Sequence, residues 1–250
     1  MATYVFLARI RPETASIQLD VKNPPLTLRV GGTEAGECTL RLLLAGSDVA
    51  LHVTTSDEVR DLGTLKNQIQ TVTNAIFDAT TYYTGLVVTV EITSVVVPHP
   101  WLARFEVKSE AVAAAAAGTA VAQDVFFNLA VESVDLRSAL ADLREAIRSP
   151  NDTGFFAYRA VETIMQAFRS SAQEESRTVW PRFRSTLRLS EPYLKSMTPF
   201  STLNRHGTIS PLSGQVREEL IIKARTVIHR YASYLASGKK ELEPSAFSEL

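Results

Sequence analysis

Two short segments in the second half of the chain carry the side chains best suited to chemistry. The first is Tyr158-Arg159-Ala160-Val161-Glu162 and the second is Asn204-Arg205-His206-Gly207. Arginine can hold a phosphate through paired N–H donors, and histidine titrates near neutral pH. Arg205 next to His206 therefore indicates a site where a phosphate is held while a proton moves. Arg205 and His206 are the candidate catalytic residues.

A helix and a loop would have to position these residues. In a helix over 155–170, Tyr158, Glu162 and Arg169 share one face because they follow one another at +4 and +7. The binding residues predicted from this arrangement are Tyr158, Arg159, Glu162 and Asn204. A structural alternative stays open, in which the polar stripe is a solvated helix face and the loop caps a helix while Arg205 pairs with Glu162.

The stretch from Arg169 to Arg205 is more basic than the rest of the chain. Its seven basic residues are Arg169, Arg177, Arg182, Arg184, Arg188, Lys195 and Arg205, against three glutamates. Trp180, Phe183 and Tyr193 are interleaved with them, which is compatible with stacking on bases. Residues 151–250 hold 14 basic and 10 acidic residues, a net charge of +4. The pattern predicts a local anion site, with a solvated helical face over core aromatics as the alternative.

Composition excludes several classes of protein. The chain has 250 residues, a net charge of −1 and 45% hydrophobic residues, which is too apolar and too weakly charged for a disordered chain. A balanced charge also argues against a strongly cationic nucleic-acid binder. No apolar run approaches the length of about 20 residues that a membrane span needs, so no membrane partner is predicted.

Most catalytic and cofactor signatures are absent from the sequence. It has no phosphate-binding P-loop, no glycine-rich dinucleotide fingerprint and no Gly-x-Ser-x-Gly elbow, and we predict no cofactor. The four histidines, at positions 52, 99, 206 and 229, are not spaced as zinc ligands on one helix face, so no metal site is predicted. Cys38 is the single cysteine, and the first ten residues do not read as a signal peptide. We therefore expect a cytoplasmic protein.

The periodicity of apolar residues predicts an α+β fold in which strands come first and helices follow. Strands are predicted at Tyr4–Ile10, Leu26–Val30, Thr39–Ala45, Val49–Thr55 and Leu86–Val97. Helices are predicted around Leu62–Ile76, in the alanine-rich segment 111–122, and at 136–147, 155–170 and 212–236. Thr198–Ser213 is predicted to be a long loop, with Pro211 at the first position of the last helix.

The same pattern divides the chain into domains. Residues 1–108 are predicted to form a β-rich α+β domain with one long helix. Residues 109–240 are predicted to form a helical bundle, and residues 241–250 a frayed tail.

Residues 110–237 resemble proteins with a HEPN domain (higher eukaryotes and prokaryotes nucleotide-binding). The similar features are the helix with Tyr158-Arg159-Ala160-Val161-Glu162, a loop ending in His206-Gly207, and a long terminal helix. The resemblance implies an all-α bundle of four or five helices. It also implies binding of RNA or a nucleotide, and metal-independent cleavage of RNA in the nuclease members.

One departure from that family bears on catalysis. Its nuclease members carry an arginine, then four to six residues, then a histidine. Neither Arg205 nor His206 has a partner at that spacing, and Arg225 and His229 are one residue too close. The alternative prediction is a non-catalytic module that forms homo-oligomers, most simply a dimer through its helices.

Overall fold

The computed structural model describes residues 1–12, 28–29, 38–98, 101–105, 109, 113–114, 121–205 and 212–250. For residues 28–29, 80, 83 and 203–205 it describes the backbone alone. The chain divides into two compact units, Met1–Glu106 and Val107–Leu250. The first is built on a sheet and the second on helices, so the predicted α+β class is confirmed.

The N-terminal unit is an antiparallel sheet covered by one helix. Its elements are β1 (Ala2–Arg11), β2 (Leu28–Arg29), β3 (Cys38–Ala45), β4 (Asp48–Thr55), α1 (Leu62–Thr84), β5 (Thr89–Val96) and β6 (Leu102–Arg104). Across the described residues the strand order is β2-β3-β4-β1-β5-β6. Alternate residues of β1, from Tyr4 to Ile10, point into the core because successive side chains of a strand face opposite sides.

Local signals of this unit behave as predicted. Gly46 turns the β3–β4 hairpin with φ +64°, and Gly85 ends α1 with φ +69°. Asn74 and Gln70 of α1 accept hydrogen bonds from the backbone N–H groups of Val90 and Ile92. The helix therefore satisfies backbone donors of β5 as well as covering the sheet.

A β-bulge interrupts β5 where sequence periodicity predicts a continuous strand. Leu7 pairs with Ser94 but Ala8 pairs with Ile92, so Thr93 is an extra residue. Val90 and Ile92 are buried before the bulge and Val95 after it. The buried face of β5 therefore shifts by an odd number of residues at the bulge, from Ile92 to Val95. A strict alternation of apolar and polar residues cannot predict this shift.

The C-terminal unit is a helical bundle around α4. Its helices are α2 (Gln123–Glu132), α3 (Val134–Arg148), α4 (Thr153–Gln166), α5 (Ser176–Leu187), α6 (Glu191–Lys195), α7 (Thr198–Arg205) and α8 (Gly214–Ala236), with a 3-10 turn at Pro150–Asp152. Helix α4 packs against α3, α7 and α8. Its small residues Ala157 and Ala160 are fully buried, which lets neighbouring helices approach closely.

Part of the predicted long loop is a helix. Residues 198–205 form α7, in which Pro199 occupies the first turn, where a missing N–H costs nothing. The hydroxyls of Ser201 and Thr202 both donate to the carbonyl of Thr198. The Ser, Thr and Pro composition that favoured a loop is also what a helix start tolerates.

Two further expectations about the end of the chain were wrong. Helix α8 begins at Gly214 rather than Pro211, because Ser213 caps it by accepting from Val216 N–H. Residues 241–250 are not frayed: Leu242 is buried, and Arg188 Nε donates to the Phe247 carbonyl. The tail is ordered because it carries apolar side chains and finds donors for its carbonyls. Of the alanine-rich segment 111–122, only residues 113–114 and 121–122 are described.

Candidate functional site

The described part of the C-terminal unit contains a groove of about 1030 Å³. We call it the α5 groove. Its lining residues are Tyr158 from α4, Arg177, Trp180, Pro181 and Arg184 from α5, Glu191, Leu194 and Lys195 from α6, and Thr198, Pro199 and Thr202 from α7. Three cations, one carboxylate and two aromatic rings therefore face one cavity.

Helix α5 supplies the centre of the groove, because one of its faces is buried in the core and the other lines the groove. Val179, Phe183 and Leu187 recur every four residues and are fully buried, which fixes the rotation of the helix. Arg177 and Arg184 flank Trp180 at three residues before and four residues after it, and all three line the groove. An aromatic ring with a cation one turn to each side is the result.

Two aromatic rings are held beside each other in the groove. The rings of Tyr158 and Trp180 lie 6.5 Å apart between centroids, with an interplanar angle of 22°. Trp180 also makes an edge contact with the buried Phe183, at 5.5 Å and 78°. The core thus orients the indole, which is half-buried and keeps part of its surface toward the groove.

The cations of the groove are neutralised in part by glutamates. Arg184 Nη2 lies 3.1 Å from Glu191 Oε2, and Lys195 Nζ lies 2.5 Å from Glu191 Oε1. The hydrogen bond from Lys195, with the charges of Lys195 and Arg184, lowers the pKa of Glu191. Arg177 pairs with Glu175, and its side chain is 81% exposed. The groove therefore keeps a net positive charge available to an anion.

The remaining wall depends on a close approach between α4 and α7. A Cβ added at Gly154 would lie 2.6 Å from the carbonyl oxygen of Phe200. Only glycine allows α7 to lie this close to the start of α4. Thr198, Pro199 and Thr202 of α7 reach the groove as a consequence.

Of the predicted binding residues, Tyr158 lies in this groove and Arg159 does not. Arg159 donates from both Nε and Nη2 to Oδ1 of Asp142 on α3, and the Asp142 side chain is 8% exposed. Its guanidinium also lies over the rings of Phe155 and Phe156, at 5.1 and 4.8 Å from their centroids. The hydrogen bond to Asp142 raises the pKa of Arg159. Arg159 therefore links α3 and α4, and a binding role for it stays a prediction.

The other predicted residues lie elsewhere or outside the described part. Glu162 is half-buried on α4, one turn after Tyr158, and is not among the groove-lining residues. The backbones of Asn204 and Arg205 form the last turn of α7, but their side chains, and all of His206, lie outside the described residues. Convergence of Arg205 and His206 with Tyr158 therefore stays a prediction.

The basic stretch divides into groove residues and structural residues. Arg177, Arg184 and Lys195 line the groove. In contrast, Arg169 donates to the Ser176 hydroxyl and backbone carbonyls, Arg182 donates to Glu174 and the Phe168 carbonyl, and Arg188 reaches the tail. Among the interleaved aromatics, Trp180 lines the groove, whereas Phe183 is in the core and Tyr193 donates to the Lys223 carbonyl at 3.3 Å.

Sequence reasoning missed Glu191, Thr198 and Thr202 as groove residues. A usable signal was present in α5, where two arginines and a tryptophan share one face. No comparable signal marks the threonines, which reach the groove through tertiary packing. Among the described residues no cluster of His, Cys, Asp and Glu could hold a metal ion, and no helix there is both long and apolar enough to cross a membrane.

Part of the chain is similar to a known protein family. Residues 123–236 match a family model described as the C-terminal domain of a domain of unknown function, DUF8168. This region contains α2 to α8 and therefore all the groove residues. No curated protein and no solved structure matches the chain. The description of the family states no activity, so the resemblance to HEPN domains stays a prediction.

Proposed function

We propose that the C-terminal unit binds a nucleotide, as a free molecule or as part of single-stranded RNA, in the α5 groove. The observation that carries the proposal is the arrangement of Trp180 between Arg177 and Arg184 in one cavity. A base has an aromatic face that stacks on an indole, and a phosphate pairs with guanidinium and ammonium groups. The groove offers both kinds of contact side by side.

The groove residues have different roles in this proposal. Trp180, backed by Tyr158, supplies the stacking surface. Arg184 and Lys195 form one positive end and Arg177 forms the other. Arg184 is the best-anchored of these cations, because its side chain is 24% exposed, whereas the side chains of Lys195 and Arg177 are 72% and 81% exposed. We therefore expect Arg184 to contribute the most to phosphate binding.

Fluorescence anisotropy of a labelled single-stranded RNA, titrated with the full chain at several salt concentrations, tests the proposal. Trp180→Leu removes the stacking surface and should weaken binding by about 1–3 kcal/mol, roughly 5- to 150-fold. Trp180→Phe keeps an aromatic ring and should restore most of the affinity. Arg184→Met should weaken binding and reduce the dependence of log Kd on log salt by about one unit.

Arg144→Met is the matched control for the loss of an arginine. Arg144 is on α3, its side chain is 72% exposed, and it is not among the groove-lining residues. This variant should bind the labelled RNA like the wild type, apart from a small change in affinity. Equal affinities of the Trp180, Arg184 and Arg144 variants, or no binding by the wild type at low salt, would refute the proposal.

We further propose that any cleavage of bound RNA depends on Arg205 and His206. The groove cations can hold a phosphate, but proton transfer near neutral pH needs a group such as histidine. His206 follows α7, which forms one wall of the groove. RNA incubated with wild type, Arg205→Ala and His206→Ala, in buffer containing a chelator, tests this role. Cleavage that persists in both variants would refute it.

A second candidate function is self-association as a structural module. Helix α2 has no buried residues, and it packs on the core through the half-buried Phe126 and Leu129. Phe127 and Val131 are one turn apart on α2 and are 59% and 74% exposed, and Val134, the first residue of α3, is 62% exposed. Exposed apolar side chains of this kind favour contact with a second copy of the chain. Sedimentation of wild type and Val131→Glu at micromolar concentration tests it, and a wild-type monomer would contradict it.

A further inference from the structure

The phosphate-binding end of the groove already contains an anion that belongs to the chain. Glu191 bonds both cations there, with one carboxylate oxygen for Arg184 and the other for Lys195. It lines the groove together with them. A ligand phosphate cannot pair fully with Arg184 and Lys195 while Glu191 holds both.

We infer that Glu191 is an internal counterion that a ligand's phosphate replaces. This inference rests on the proposed function, because it describes how a nucleotide would enter the groove. Because Glu191 must first leave both cations, a ligand binds only if its own contacts outweigh those that Glu191 gives up. A phosphate without a base exchanges one anion for another on the same two cations and gains little, whereas a nucleotide also gains stacking on Trp180.

The local structure allows this exchange. Glu191 is the first residue of α6, whose backbone is held by the cap at Ser190 and the buried Leu194. Its side chain is 47% exposed, so the carboxylate can leave the cations and remain hydrated.

A second glutamate of this unit shows the contrasting arrangement. Glu174 accepts from the backbone N–H of Ser170 as well as from Arg182, and its side chain is 14% exposed. It is fixed to the loop after α4. Glu191, in contrast, contacts the side chains of Arg184 and Lys195, which are the groups a phosphate would bind.

Titration calorimetry of the full chain with inorganic phosphate and with AMP tests the inference. Glu191→Gln removes the competing charge and nearly preserves the size of the side chain. It should tighten binding of both probes about ten-fold, which corresponds to about 1.4 kcal/mol. Glu191→Ser is a second variant with the same expected direction, in case the glutamine forms new hydrogen bonds with the cations.

Glu219→Gln is the matched control. Glu219 pairs with Lys223 at 2.6 Å with the same four-residue spacing as Glu191 and Lys195, but neither residue is among those that line the groove. Loss of this glutamate should leave binding of both probes unchanged.

The outcomes separate the inference from the proposed function. Wild type that binds AMP, with unchanged or weaker binding in both Glu191 variants, overturns the inference and leaves the proposed function standing. A ten-fold gain in Glu219→Gln as well would assign the effect to net charge, which also overturns the inference. No binding of AMP or RNA by either the wild type or the Glu191 variants overturns the proposed function and the inference with it.

Discussion

Substitution of Gly154 by alanine tests how the groove is built. Gly154 is the second residue of α4, and the backbone of Phe200 on α7 lies directly over it. The added Cβ would lie 2.6 Å from the Phe200 carbonyl oxygen and 2.9 Å from its carbonyl carbon. Backbone atoms cannot rotate away as a flexible side chain can, so α7 has to move as a body.

The size of the effect follows from the overlap. A carbon and a carbonyl oxygen approach to about 3.3 Å in close contacts, so α7 must move by about 0.7 Å. Overpacking of this kind costs about 1–3 kcal/mol. Alanine recovers about 1 kcal/mol because it favours helix more than glycine does. We expect a net loss of up to about 2 kcal/mol in the free energy of unfolding of the C-terminal unit.

The assay uses the distribution of tryptophans in the chain. The chain has two tryptophans, of which Trp101 is in the N-terminal unit and Trp180 lines the groove. In a Trp101→Phe background, urea unfolding followed by fluorescence reports on the C-terminal unit alone. Gly214→Ala is the matched control, because Gly214 is also at the start of a helix and its added Cβ meets nothing within 4 Å.

The two substitutions should differ in sign. Gly214→Ala should raise stability by about 0.4–1 kcal/mol, whereas Gly154→Ala should lower it. Gly154→Ala should also weaken RNA binding, because α7 carries groove residues. If Gly154→Ala is as stable as Gly214→Ala and binds RNA like the wild type, the argument that this glycine sets the position of α7 is refuted.

Three further predictions concern buried charges. Arg159→Met leaves the buried Asp142 unpaired and should lower the free energy of unfolding in urea by about 2–3 kcal/mol, without changing RNA affinity. A variant that keeps full stability but loses affinity for RNA would contradict the structural role of Arg159. Arg230 donates at 2.7 Å to the Ser248 carbonyl and at 2.9 and 2.6 Å to the carbonyls of Leu187 and Arg188, and so joins the tail to the end of α5. Arg230→Met should therefore speed proteolysis within residues 241–250, while Arg225→Met serves as control. Burial, with the nearby positive charges of Arg225 and Arg230, lowers the pKa of His229 below 6.5, so the unfolded chain binds this proton more readily. Stability should therefore fall as pH decreases from 7.5 through 6.5 toward the lowered pKa, and His229→Phe should remove that part of the slope measured by urea unfolding.

Local features could be predicted from the sequence because neighbours along the chain determine them. The alternation in β1, the turn at Gly46 and the end of α1 at Gly85 each depend on a few adjacent residues. The buried stripe of α4, including Ala157, Ala160 and Ile164, follows from helical periodicity in the same way. For these elements the sequence predictions are confirmed.

Pairings between distant residues could not be predicted in this way. The sequence did not show that Arg159 pairs with Asp142, because an exposed arginine and one that crosses to another helix have the same local pattern. Only the position of α3 brings the buried Asp142, 17 residues away, to its guanidinium. The ordered tail has the same origin, since Arg230 donates to the Ser248 carbonyl from a helix that ends before the tail begins.

Only part of the candidate site could be predicted from the sequence by itself. It determined that α5 carries two arginines and a tryptophan on one side, because that depends on helical spacing alone. Tertiary structure decided that Tyr158, Glu191 and α7 face the same side, because this requires Gly154 to admit α7 and the buried Phe183 to orient Trp180. The physical reason is that spacing along a helix is a property of one segment. A groove, in contrast, depends on the contacts among four helices, here α4, α5, α6 and α7.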